Sequence, residues 1–335
     1  MSLPPVEIPL GAIRFNSDSH KLEYWNGDIW MQVHTDSAPG LGGKAFRAGS
    51  GSGGTIIETF NIATGGTAID TGFDLSTGIH AAAAAGSRTR AIQAGGRSSA
   101  GAPWGQQNVI QYFEMASLSN SIDFGDMTSA SGRHDAHSNQ TRMITGGGQS
   151  NNDLMNYITI TSTGNATDFG NLTVGREGTS AAGSPTRAIW AGGNTNPGTE
   201  TSVNTIDYVT ISTTGNASDF GDLTNNRYFS GGMCNTVRAA WAQGYIVPSG
   251  AQKTIDYVTI ASTGNAMDFG DAEQTRYGPG KFSSPTRCGF FGGYSPTTYI
   301  NQIDINVKSD STKFGDLSAT GNYICGHTDV HGGIV

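Results

Sequence analysis

The chain has 335 residues, a net charge of −8 and only 14% charged residues, against an ordinary share of ~25%. That balance argues against nucleic acid as the main partner, because phosphate binding needs a basic surface. No polybasic patch and no run of about 18 apolar residues points to a membrane. Glycine, at 49 residues, is about twice its usual share. Three cysteines, Cys234, Cys288 and Cys325, have no spacing that makes a disulfide framework. Cys288 is expected to be a small buried apolar residue.

The start, MSLPPVEIPLG, lacks the charged beginning and apolar core of a secretory leader, so synthesis in a reducing cytoplasm is expected. Residues 11–33, GAIRFNSDSHKLEYWNGDIWMQV, alternate apolar and polar, with Ile13 and Phe15 and then Leu22 and Tyr24 on one side. Asn26-Gly27 predicts a two-residue hairpin turn ahead of Ile29 and Trp30. Residues 1–40 are therefore a small β-meander of about three strands, too small to stand alone, and a candidate attachment or self-association unit. GLGG at 40–43 is the joint to the rest, residues 41–335.

From there one sentence recurs six times, clearest in IDYVTISTTGNASDFGDLT from Ile206 and IDYVTIASTGNAMDFGD from Ile255. Its phenylalanines, Phe73, Phe124, Phe169, Phe220, Phe269 and Phe314, are 51, 45, 51, 49 and 45 residues apart. A second motif, as in TRAIWAGG, places Arg90, Arg142, Arg187, Arg238 and Arg287 at spacings of 52, 45, 51 and 49. A third segment starts near Arg133, Arg176, Arg227 and Arg276, as in RYFSGG. Each unit thus offers four short apolar segments, A (RYFSGG), B (TRAIWAGG), C (IDYVTI) and D (ASDFGDL), with β-branched and aromatic content and no helical period. The period suits a four-stranded propeller blade, and six blades around an axis bury both faces of each sheet.

The first unit begins at segment B, Lys44 to Gly49, with no A segment before it. After the last D segment comes GNYICGH, Gly321 to His327, with the spacing of an A strand and no B after it. The expectation is an all-β, six-bladed propeller whose C-terminal strand completes the first blade.

These motifs carry a resemblance. The GAIRFNS and KLEYWNGDIWMQV segment resembles a short module near the ends of tailed-bacteriophage virion proteins. The TIDYVTI, STGNA and DFGDLT wording is similar to repeats in structural proteins of tailed phages, including those of cyanobacteria. The units also resemble divergent Kelch repeats, with Phe where Kelch strands D usually carry Trp. The resemblance implies a virion component, in a tail fibre, tail tip or capsid appendage. It would be held to other virion proteins by its N-terminal module, made in the host cytoplasm, and able to form a homo-oligomer.

The repeated arginines read as structural groups bonded to a repeated Asp such as Asp207 or Asp219, ahead of a ring lining a channel or anion site. The DFGD tetrads at Asp123, Asp219 and Asp268 share letters with a kinase motif but lack its glycine-rich loop, strand lysine and HRD. Asn165-Ala-Thr167 and Asn216-Ala-Ser218 form glycosylation sequons, better read as left-handed turn residues. His134 with His137, and His327 with His331, have metal-like spacing without a third ligand; no metal or cofactor is expected. No catalytic motif appears, and a polysaccharide-cleaving enzyme, with its paired carboxylates, is the least favoured reading.

The B–C loops vary most, with 13, 6, 12, 10 and 9 residues at 97–109, 149–154, 194–205, 245–254 and 294–302. Such variation marks the functional face of a repeat protein. Trp104, Tyr245, Tyr294 and Tyr299 on that face are the candidate ligand-binding residues for a host-surface glycan or protein. These aromatics could equally pack their own loops, and the alternative function is a scaffold or cap in the particle with the loop face buried against a neighbour.

Overall fold

Alternating β-branched and aromatic residues between turn signals become strands throughout, and no helix occurs among the described residues. The computed structural model describes residues 8–9, 11–16, 21–32, 43–51, 54–98, 105–150, 152–195, 199, 201–294 and 297–330. The chain divides into two compact units, Met1–Gly40 and Leu41–Val335.

In the first unit, strands Ile13–Asn16, Lys21–Trp25 and Trp30–Gln32 form an antiparallel meander in that order. Trp25 pairs with Trp30, so the turn holds four residues, Asn26 to Ile29, rather than two. The Asn26 side chain accepts hydrogen bonds from the amides of Asp28 and Ile29, which sets this wider turn. Arg14 pairs with Glu23 at 2.8 Å and lies over the Trp30 ring.

The second unit is a six-bladed β-propeller. In blade 4, segments A to D become Ser180–Gly183, Arg187–Asn194, Ser202–Thr210 and Ser218–Asp222. The inner A strands of blades 1 to 6 are Cys325–Thr328, Ala83–Gly86, Asp135–Ser138, Ser180–Gly183, Gly231–Cys234 and Gly280–Phe282. Each touches the A strands of both neighbouring blades, all the way round. They are rich in Ala, Gly and Ser because they crowd an axis: a Cβ on Gly183 would sit 2.8 Å from the His137 ring. In blade 1, Cys325–Thr328 pairs antiparallel with Lys44–Ser50, with Cys325 opposite Ala48 and Thr328 opposite Ala45. Strands Gly54–Asn61 and Ile69–Asp74 complete that sheet.

The A strands start later than the RYFSGG motif suggests. Blade 5 begins at Gly231, because Phe229 adopts a left-handed φ of 57° and leads the chain into the strand from a turn.

Apolar clusters fill every interface between blades, and a further small one, Ile79, Ala82, Ala84 and Cys325, joins blades 1 and 2. Each C–D pair carries a bulge at the Phe of DFG, as where Ile206 faces Gly221 and Asp207 faces Asp219. The extra residue turns inward: Phe124, Phe169, Phe220 and Phe269 are buried and meet Tyr112, Tyr157, Tyr208 and Tyr257 edge-on at 5.6–5.9 Å. Phe73 does not follow. The register of blade 1 differs, and Phe73 is 37% exposed.

Three polar joints repeat from blade to blade. At the rim, the amides of Gly164 and Ala166 donate to the carbonyls of Phe124 and Asp126, while the Asn165 side chain accepts from the Asp126 amide. Asn216 and Asn265 do the same for Asn171 and Asp222. These asparagines have no left-handed φ, so their role is to grip the preceding blade, not to tolerate a strained turn. The grip is so close that a Cβ on Gly125 would meet the Gly164 backbone at 2.5 Å, which accounts for the glycine of DFG; a Cβ on Gly164 would meet nothing within 4 Å, and its φ of 155° is what favours glycine there.

The second joint uses the B-strand arginines. Arg90, Arg142, Arg187, Arg238 and Arg287 donate to the carbonyls of Ile160, Ile211, Ile260, Ile305 and Ile62 in the next blade. Four of them lie over Tyr112, Tyr157, Tyr208 and Tyr257 of their own blades, and Arg287 over Phe314. Their shared partners are a carbonyl and an aromatic face, not a repeated Asp; Arg90 alone among them also pairs with a carboxylate of the described residues, Glu114, at 2.7 Å.

The third joint uses a buried polar residue on strand C: Glu58, Gln111, Asn156, Asp207, Asp256 and Asn301. Each bonds a side chain from the preceding blade, in order Ser318, Ser76, Thr128, Thr173, Thr224 and Glu273. Where this residue is anionic it has a buried arginine beside it: Arg47 with Glu58, Arg176 with Asp207 and Arg227 with Asp256, at 2.8–3.0 Å. Burial pulls the Arg176 and Arg227 guanidiniums below their usual range. The carboxylates opposite them offset that penalty.

Deleting residues 318–335 removes the Glu58 partner and the inner strand of blade 1. We expect loss of cooperative unfolding of the whole propeller in a thermal melt, not the fraying of one blade. Asp207→Ala strands Arg176 without its counter-charge and should destabilise the unit by about 3–5 kcal/mol in denaturant unfolding.

Candidate functional site

Two residues before each A strand, the chain takes a left-handed turn. The residues are Ala81, Arg133, Gly178, Phe229, Gly278 and Tyr323, with φ of 49°, 59°, 67°, 57°, 66° and 50°. Left-handed φ is costly for a bulky side chain and persists only where its surroundings impose it. Here the imposed feature is a closed collar. The amide of each residue donates to the carbonyl of its counterpart in the preceding blade: Arg133 to Ala81, Gly178 to Arg133, Phe229 to Gly178, Gly278 to Phe229, Tyr323 to Gly278 and Ala81 to Tyr323, at 2.7–3.0 Å.

Just outside the collar, a residue before it pairs with the residue after the glycine pair of strand B. The pairs are His80 with Arg97, Glu177 with Asn194, Tyr228 with Tyr245 and Tyr277 with Tyr294, while the Gln149 amide donates to the Gly132 carbonyl. One backbone slot therefore holds different side-chain pairs around the ring: His with Arg, Glu with Asn, and twice Tyr with Tyr. Blades 5 and 6 make the mouth aromatic; blades 2 to 4 make it polar and charged.

The aromatic half is one packed group. Tyr277 stacks on Tyr294 at 4.8 Å and 23° and meets Tyr245 edge-on at 4.9 Å. Tyr228, Phe229 and Tyr323 continue it. Tyr294 stays 47% exposed at the outer edge. On the polar side Arg133 pairs with Glu177 at 2.7 Å and reaches over the Phe229 ring. Between the halves lies a depression of about 180 Å³, floored by Glu177, Asn194 and Arg133 and walled by tyrosines. Burial, then the neighbouring Tyr323, pushes the Tyr277 phenol above its ordinary range, and burial likewise raises Tyr323. Both phenols are neutral hydrogen-bonding groups at physiological pH.

Of the residues singled out in the sequence, Tyr245 and Tyr294 belong to this group. Tyr299 does not: it lies on strand Tyr299–Asp304, with Lys313 4.0 Å above its ring. Trp104 lies outside the described residues. Tyr228, Phe229, Tyr277 and Tyr323 were hidden in RYFSGG, RYGPG and GNYICG, where they look like the start of a strand. Their signal is that aromatics recur at two adjacent register positions, Tyr228 with Tyr277 just before the collar and Phe229 with Tyr323 on it.

Other candidates resolve into structure. His134 and His137 diverge: a Cβ on Gly95 would meet His134 at 2.8 Å, and one on Gly183 would meet His137 at the same distance, on opposite sides of their blade. No group of three metal-ligating side chains occurs among the described residues; His331 lies outside them. The three cysteines are buried and unbridged, and burial pushes Cys325 up to about 12. Inside the collar, Lys281 of blade 6 crosses the axis to Asp135 of blade 3 and also donates to the Ala181 carbonyl at 2.9 Å. Asp123, Asp219 and Asp268 sit exposed on D strands.

No family model matches the chain, and no curated protein matches it.

Burial holds His134, His327 and His80 down to about 4. The unfolded chain takes up these protons near pH ~6.5, while the native state stays neutral to about 4. Stability is therefore full above pH ~6.5 and falls with acidification towards 4. Melting temperatures measured from pH 7.5 to 4.5 should drop steadily, and His134→Gln should flatten the slope.

Proposed function

We propose that this chain is a non-enzymatic recognition component of a tailed-phage virion, with the propeller as a rigid platform that binds a host-surface glycan or protein. The observation that carries this reading is the polarised mouth: a tyrosine wall facing an arginine, a carboxylate and an amide on one rigid collar. Aromatic rings take the apolar face of a sugar or a partner side chain, and the polar side fixes its orientation. The wording of the repeats and of residues 11–33 supports the virion setting. The N-terminal meander, whose Ile13, Phe15 and Tyr24 are exposed on one face, is the attachment unit to other virion proteins or to further copies of itself.

An enzymatic role is disfavoured by the chemistry of the depression. Glycoside hydrolysis needs two carboxyl groups about 5–10 Å apart across the substrate, and among the described residues Glu177 is the single carboxylate lining it.

The test is binding of the full-length protein to intact candidate host cells and to their extracted surface polysaccharide. Saturable binding is expected, weakened at least ~tenfold by Tyr277→Ala or Tyr294→Ala. Absence of binding by folded protein, with the mouth protected in assembled particles, would favour the scaffold role instead.

A further inference from the structure

The floor of the depression contains an unmet acceptor. Glu177 is 1% exposed. Its Oε1 accepts from Arg133, while its Oε2 is buried with no hydrogen-bond partner. A buried carboxylate oxygen without a donor is costly, and such a group at the base of an otherwise well-bonded collar asks for a donor from outside. The donor has to be small: about 180 Å³ lies well under the ~300 Å³ at which drug-sized sites begin. It has to carry hydroxyl or amine protons on one edge, for Glu177, and an apolar face on the other, for the tyrosines.

We propose that the depression takes one neutral pyranose residue of a glycan, with a pair of adjacent hydroxyls donating to Glu177 and accepting from Arg133. This inference rests on the recognition role proposed above and sharpens it to a sugar class. A uronic acid or other anionic sugar would bring a second carboxylate beside Glu177 and add like-charge repulsion. A neutral hexose satisfies both ends of the Arg133–Glu177 pair at once. The tyrosine wall held by Tyr277 and Tyr245 then meets the sugar's C–H groups, and Tyr294 extends the platform to the next residue of the chain.

The experiment is saturation-transfer NMR and titration calorimetry on the full chain. The probes are methyl glycosides of glucose, galactose and mannose, their short neutral oligosaccharides, and methyl glucuronide as the anionic control. The expected result is binding of at least one neutral glycoside, with Glu177→Gln weakening it about tenfold or more and Tyr277→Leu doing likewise. Both variants should keep the parent thermal melt; Arg133→Lys serves if Glu177→Gln alone lowers it. Binding of the glucuronide in preference, unchanged in Glu177→Gln, would overturn the neutral-sugar assignment and leave glycan recognition standing. Binding to host cells that no saccharide competes would overturn the assignment in favour of a protein partner. No binding to sugars or to cells would overturn both this inference and the recognition role.

Discussion

Each blade is fixed to the next by direct backbone-to-backbone hydrogen bonds at the rim and at the axis. At the rim the TGN turn of one blade lies on the DFG strand of the one before it, glycine against glycine. At the axis six left-handed residues pass one hydrogen bond around a collar. Neither device works for a single blade. Each needs its neighbour in place, and the last needs the first, which is why the chain brings Cys325–Thr328 back to Lys44–Ser50. The rest follows from this spacing: small residues on the inner strands, apolar clusters filling the wedges, and arginines long enough to span from one blade to a carbonyl of the next.

The same constraint separates scaffold from function. Positions that hold blades together repeat, so they carry Gly, Asn, Arg and a buried polar residue of strand C. Positions beside the collar are held just as firmly by backbone pairing, but their side chains project into the mouth and are free to differ. His80 with Arg97, Glu177 with Asn194, and Tyr277 with Tyr294 occupy equivalent places and make three chemistries. A rigid ring with variable inserts pre-organises its contacts, so little ordering entropy is lost on binding.

Repetition made the fold legible, and also made the site hard to see. The period of the Phe and Arg motifs gave blade number and strand order, and the missing A segment before Lys44 pointed to the strand at Cys325. Partners were less legible. Arg187 looks like an ion-pair residue next to so many aspartates, yet it bonds the Ile260 carbonyl, and Asp207 belongs to Arg176. Spacing in sequence reports the blade, whereas these contacts cross from one blade to another. In sequence Phe229 and Tyr323 look like strand residues because their left-handed turn has no glycine to announce it. Tyr245 and Tyr294 were found because they sit in loops of changing length. Tyr299, close to them in sequence, belongs to a strand and faces Lys313.

The collar closes through all six blades and holds the mouth as one body. Native-state hydrogen exchange of the amides of Ala81, Arg133, Gly178, Phe229, Gly278 and Tyr323 tests it directly. These six protons should exchange together, at the free energy of global unfolding. Fast exchange at Ala81 and Tyr323, with the other four still protected, would show a ring that opens at its seam and would contradict the account.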